Sequence, residues 1–189
     1  MIRLNVAVAA IWTLALLAVP WTASAQEVER PIGVGIVLGD PVGVTAKIWL
    51  DQRNALQANL GWRSSIYGTG YYYHWFDANA PYFSLDWVHH HRWIRSRRDT
   101  VAVGLHWGIG AGLDWLPGNQ RYYYLFGDHY VSGGAIAPML RIPLGFDLEF
   151  PRGSFELFAE VVPILQVVFA SPVFAYPDIM FDVGGRFYF

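Results

Sequence analysis

The feature that most constrains this chain is a two-residue rhythm, clearest in its final twelve residues, Asp178-Ile179-Met180-Phe181-Asp182-Val183-Gly184-Gly185-Arg186-Phe187-Tyr188-Phe189. Side chains alternate between faces along an extended strand, so Ile179, Phe181, Val183, Phe187 and Phe189 share one side while Asp182, Gly184, Arg186 and Tyr188 share the other. One face is oily and the other carries charge of both signs. Such a strand needs two environments at once.

The rhythm recurs along the chain. Val34, Ile36 and Leu38 alternate with glycines; Asp40-Pro41-Val42-Gly43 turns the chain; and Val44, Ala46, Ile48 and Leu50 then oppose Thr45, Lys47 and Trp49. After the polar turn Asp51-Gln52-Arg53-Asn54, Leu56, Ala58, Leu60 and Trp62 oppose Gln57, Asn59 and Gly61, which predicts an antiparallel meander. Glycines, Pro81 and the aromatic run from Tyr71 to Phe76 predict a first long loop over residues 63–81. A fourth strand sets Phe83, Leu85 and Trp87 against Ser84, Asp86 and Val88, and a turn rich in arginine, Arg92 to Asp99, follows it. In the fifth, Val101, Val103, Leu105 and Trp107 oppose Ala102, Gly104, His106 and Gly108. A second long loop is expected over Leu113 to Ser132. The sixth strand opposes Leu140, Ile142, Leu144, Phe146, Leu148 and Phe150 to Arg141, Pro143, Gly145, Asp147 and Glu149, with Pro143 expected at a bulge or rim. The seventh opposes Phe155, Leu157, Ala159 and Val161 to Glu156, Phe158, Glu160 and Val162, and a third loop, about Val168 to Pro177, leads to the eighth.

The expected fold is all-β: an eight-stranded antiparallel up-and-down transmembrane β-barrel. Alternation alone does not say whether the oily face meets lipid or lines the cavity of a soluble barrel. Composition decides it. Only 15% of the residues are charged, 17% are aromatic, and Lys47 is the one lysine, whereas a soluble β-protein would wear lysine and glutamate outside. The polar faces carry Lys47, Arg141 and Arg186 against Asp86, Asp147, Glu149, Glu156, Glu160 and Asp182, interspersed with small residues. Inside a narrow barrel such a set pairs across the lumen and plugs it; an ion path is the alternative. Trp49, Trp62, Trp87, Trp107 and Trp115 are expected near strand ends, where amphipathic rings settle at membrane interfaces.

At the N-terminus, Arg3, an apolar stretch from Val6 to Val19 and Ala23-Ser24-Ala25 predict a cleaved signal peptide over residues 1–25, leaving a barrel domain over 26–189. The remaining twelve basic and fifteen acidic residues exclude a nucleic-acid-binding surface, and the absence of cysteine excludes disulfides and thiol chemistry.

Candidate chemistry is sparse. His89-His90-His91 is contiguous, so the middle ring points away from the other two on a strand; beside Arg92 at an expected turn it reads as a polar collar rather than a metal site. His106 is expected to face inward and donate to an acid. Tyr71, Tyr72, Tyr73 and Trp75, with Tyr122, Tyr123 and Tyr124, could stack on a surface glycan or dock a protein ligand; otherwise they form the outer aromatic girdle. No cofactor, metal ligand set or catalytic group is expected.

The hairpin from Gly33 to Leu50 carries the pattern G-x-G-I-x-L-G-x-P-x-G-x-T-x-K-x-W and resembles the start of a family of small, functionally uncharacterised bacterial outer-membrane barrels. The ending Gly185-Arg186-Phe187-Tyr188-Phe189 agrees with it, and the broader likeness is to OmpA/OmpX-type eight-strand barrels. The resemblance implies an outer membrane, with lipid and lipopolysaccharide as surroundings, and Phe187 and Phe189 as the signal read by the barrel-assembly machinery. It implies no chemistry. A structural or adhesive surface role comes first; OmpW-like passage of small apolar molecules or a lipid A-modifying activity is the alternative. Lipid A deacylases resemble this size class and carry a His-x-Ser pattern. The nearest match here, His129-Tyr130-Val131-Ser132, would put the two side chains on opposite faces of a strand, so no enzyme activity is expected.

Overall fold

A computed structural model describes residues 31–63, 80–95, 101–116, 120–124, 127–131, 134–150, 154–169 and 173–189. Strands run through them in the order β1 (Ile32–Gly39), β2 (Val42–Trp49), β3 (Asn54–Arg63), β4 (Ala80–Arg95), β5 (Ala102–Leu116), β6 (Gln120–Tyr124), β7 (Gly127–Val131), β8 (Ala135–Arg141), β9 (Leu144–Phe150), β10 (Phe155–Val168) and β11 (Phe174–Tyr188). Pairing is antiparallel throughout, and β1 bonds both β2 and β11, so the main sheet closes on itself. β8 and β9 lie end to end between β5 and β10 and act as one stave, which makes a ring of eight. β6 and β7 form a separate hairpin between β5 and β8.

Pro143 marks the break between β8 and β9, in mid-stave rather than at a rim. It has no N–H to give, but its carbonyl accepts from Gly108 N at 2.8 Å and the neighbouring Ile142 N donates to Pro163 O at 3.0 Å. Alternation passes through without a slip, leaving Arg141, Pro143 and Asp147 all inward. At the β2–β3 turn, Asp51 Oδ1 accepts from the backbone N–H groups of Arg53 and Asn54 at 2.7 and 2.8 Å, and Oδ2 accepts from Asn54 Nδ2 at 2.7 Å. Partial desolvation opposes the charged form, but these hydrogen bonds outweigh it and hold Asp51 below the ordinary carboxylate range.

Several strands run further than hydropathy predicts. Arg63 and Ala80 belong to β3 and β4 rather than to a loop, and β4 continues through Arg95, so the histidine triplet lies on a strand and not at a turn. β5 continues to Leu116, and the expected second loop contains the β6–β7 hairpin, which takes in Tyr122, Tyr123 and Tyr124. β8 begins at Ala135 and β11 at Phe174, each ahead of its expected start. The extra residues mix glycine, proline and charge, which weakens the apolar rhythm; pairing with a neighbour keeps them extended. The signal-peptide segment, Tyr71, Tyr72, Tyr73 and Trp75 lie outside the described residues.

The ring is oily outside and charged inside. Val34, Ile36, Leu60, Leu85, Ile109, Phe146, Leu157, Phe181, Val183, Phe187 and Phe189 are exposed, whereas Lys47, Asp86, Arg141, Asp147 and Arg186 are each 0% exposed. Trp62, Trp107 and Trp115 face outward, with Trp87 half-buried and set edge-on to Trp107 at 5.6 Å. Trp49 departs from the expected interface belt. It points inward, because it shares the parity of Thr45 and Lys47 on β2, and its ring packs 4.5 Å from that of His90.

Candidate functional site

Inside the ring, apolar groups occupy both ends. Trp49, Ala55, Val88 and Tyr188 pack together at the end that holds the short turns, and Ala80, Leu116, Ala135, Ala137 and Val168 pack at the other, with Phe174 against them. The charged groups lie between, shut away from water.

Nearest the short-turn end, Glu156 collects three donors. Lys47 Nζ sits 3.1 Å from both of its oxygens, Arg186 Nη1 donates at 2.7 Å, and Tyr188 Oη donates at 2.5 Å. Register explains part of this, since β10 and β11 set Glu156 directly opposite Arg186. Arg186 also donates through Nε and Nη2 to Thr45 Oγ1 at 3.1 and 3.0 Å, with its guanidinium 3.8 Å over the Phe158 ring.

Beside this group, two imidazoles converge on one carboxylate oxygen. His90 Nδ1 lies 2.8 Å and His106 Nδ1 2.9 Å from Asp147 Oδ2, and the histidines are direct partners across β4 and β5. His106 Nε2 lies 3.1 Å from Glu160 Oε1, whose carboxylate also takes Gln57 Nε2 at 2.8 and 3.1 Å. Gly145 makes the room, since a Cβ there would stand 2.5 Å from His106 Cε1.

Further along, Arg141 Nε donates to Asp86 at 2.9 and 3.2 Å, and Arg141 Nη1 reaches the Tyr82 hydroxyl. Asp182 stands directly opposite Glu160 across β10 and β11, and neither of its oxygens has a hydrogen-bond partner. Towards the long-loop end Arg63 binds three acids: Asp40 at 3.2 Å, Asp114 at 2.8 Å and Asp178 at 3.1 Å. Gln166 Nε2 donates to Asp114 at 2.6 Å.

The structure thus brings together Lys47, Asp86, Arg141, Asp147, Glu156, Glu160, Asp182 and Arg186 inside the ring, with Glu149 half-buried near one end. It adds Asp40, Arg63 and Asp114, which hydropathy assigns to loops and turns, Asp178, which opens the expected terminal strand, and His90, which a contiguous triplet disguises. Their parity relative to Trp62, Leu113 and Ile179 carried the signal. Among the described buried residues, eight aspartates and glutamates face four lysines and arginines, a surplus of four carboxylates. Phe187 and Phe189 lie on the outer face. His129 is on β7, paired with Tyr122 on β6, and Ser132 lies outside the described residues.

No family model matches the sequence, and no curated protein matches it. The crystal structure of CarO2 from Acinetobacter baumannii is similar at 10% identity over 85% of this chain and 99% of that one, with a TM-score of 0.35.

Proposed function

We propose that the chain is an integral outer-membrane β-barrel whose plugged interior suits it to a structural or surface-interaction role rather than to open passage of solutes. One observation carries the reading: the ring exposes apolar side chains around its outside while it buries Lys47, Arg63, Arg141, Arg186 and their acids. Water would invert that arrangement, because soluble monomers rarely expose more than a few hundred Å² of contiguous apolar surface. Hydrocarbon favours it, and closure through β1 and β11 leaves no unpaired edge in the ring.

The interior supports the second half of the proposal. An eight-strand bore is just wide enough for side chains to fill, and here apolar clusters occupy both ends while ion pairs span the middle. A route for small apolar molecules would call for an apolar tube, and this bore is charged. A lipid-cleaving role would need a base and a nucleophile on one face, which the spacing of His129 and Ser132 does not supply. Tyr122, Tyr123 and Tyr124 on the β6–β7 hairpin, together with Tyr71, Tyr72, Tyr73 and Trp75, remain the proposed contact for a glycan or protein partner.

Reconstitution of the full chain into planar bilayers tests both parts. Stable insertion without porin-like conductance steps is the expected result. Large open-channel steps would overturn the closed barrel, and recovery of the protein from the soluble fraction of cells would overturn membrane insertion.

A further inference from the structure

We infer that the bore holds one divalent transition-metal ion, of the zinc class, between His90, His106 and Asp147. This goes beyond the barrel proposal, which requires no ligand. The three side chains come from β4, β5 and β9 and are all buried, and one ligand atom from each lies within 4.8 Å of the others. Two imidazole nitrogens and a carboxylate oxygen form a donor set that suits zinc and its neighbours and discriminates against calcium and magnesium, which take oxygen ligands. The nitrogen–oxygen separations of 2.8 and 2.9 Å are slightly tighter than the roughly 3.3 Å between ligands on a tetrahedral zinc, so the rings need to part by only about half an ångström.

Three further observations point to the same site. Asp147 Oδ1 and His90 Nε2 are buried with no hydrogen-bond partner, so the carboxylate can offer its second oxygen to an ion without giving up a bond. A metal on His106 Nδ1 leaves that ring's proton on Nε2, which lies 3.1 Å from Glu160 Oε1, so the small turn of the ring that admits the ion can also aim this proton at the carboxylate, the kind of outer partner that orients and strengthens an imidazole ligand. Among the described residues, eight buried carboxyl groups against four lysines and arginines mean that the interior has no excess of basic residues to repel a cation. Lys47, whose Nζ is 3.9 Å from Asp147 Oδ1, opposes a cation locally, but Glu156 pairs with it at 3.1 Å. Because the bore is closed at both ends, the ion enters while the strands assemble.

The test uses the full chain without affinity histidines, refolded in detergent with zinc or cobalt(II) and freed of loose metal by gel filtration. One zinc per chain is expected, and the cobalt form should show the visible bands of a low-coordinate nitrogen–oxygen site. Glu160→Gln should weaken zinc binding roughly 10–100-fold, as loss of an outer hydrogen-bond partner does. Asp147→Asn and His106→Gln should abolish it, while His91→Ala, on the outer face, should leave it unchanged. Folding of each variant is followed by the heat-dependent gel mobility of barrels. Wild-type protein that refolds but retains no metal and shows no cobalt bands overturns the proposal whatever the variants do. So does binding that is lost in His91→Ala and kept in a folded Asp147→Asn.

Discussion

Glu156→Gln is the most demanding perturbation of the ion-pair network. Glu156 is 1% exposed and receives Lys47 Nζ at 3.1 Å, Arg186 Nη1 at 2.7 Å and Tyr188 Oη at 2.5 Å. The amide keeps the shape and removes the charge. Among the described residues the one carboxylate then left beside Lys47 is Asp147, at 3.9 Å, and Arg186 Nη1 faces a neutral group. Breaking a buried pair by removing one partner costs about 3–5 kcal/mol, because the other charge stays desolvated. Urea unfolding of protein in micelles, followed by tryptophan fluorescence, should therefore show a midpoint lowered by roughly 1 M or more, given a slope of about 1–3 kcal/mol per molar. Lys47→Met should lower it similarly. The double variant removes one cation with its carboxylate, so it should be less damaged than the sum of the singles, with a coupling of about 2 kcal/mol. A midpoint displaced by less than about 0.3 M in Glu156→Gln, or strict additivity in the double, would refute the claim that these charges are desolvated and mutually compensated.

Asp182→Asn should act in the opposite sense and raise the urea midpoint by the equivalent of about 1 kcal/mol, since Asp182 faces Glu160 and neither of its oxygens is hydrogen-bonded; a clear loss of stability would show a donor that this geometry lacks. Asp51→Ala should cost about 1 kcal/mol at neutral pH through the turn hydrogen bonds. Because the folded pKa of Asp51 lies below its ordinary 3.8, its contribution is present above that value and fades as pH falls through the depressed one. The gap between wild type and variant should accordingly narrow in acid, and a gap independent of pH would count against the depressed value. Val161→Arg, on the outer face at the middle of β10, should cost about 2–4 kcal/mol in lipid vesicles, while Arg at the exposed turn residue Gln52 should cost little; equal effects would argue against a hydrocarbon exterior. Gly145→Ala should destabilise by about 1–3 kcal/mol by pushing on both the His106 ring and the backbone carbonyl of Ala159, each 2.5 Å from the added carbon, seen as a lowered unfolding midpoint; an unchanged midpoint would mean that both can give way.

Much of the fold was legible in the residues because parity on a strand is a local property. Thr45, Lys47 and Trp49 share a side whatever their neighbours do, and so do Glu156, Phe158 and Glu160. Strand ends were less legible. Arg63 and Asp114 stand where the apolar rhythm fades into glycine and charge, and only pairing with an adjacent stave shows that they are still extended and inward. The inward turn of Trp49 was available from its parity with Lys47, but a general preference of tryptophan for interfaces obscured it.

The sequence by itself determined that this chain is all-β, that its strands are two-faced, and that its ionised groups lie on the less oily side. Which charges meet was decided only by the closed ring. His90 is separated from His106 by sixteen positions and from Asp147 by fifty-seven, yet all three converge, because β4, β5 and β9 are neighbouring staves at one level. Glu156 reaches Lys47 across the bore, from a strand that does not pair with β2. Alternation records which side a residue faces and carries no information about its height or its neighbour across the ring; register and closure set those, through hydrogen bonds between segments far apart in the chain.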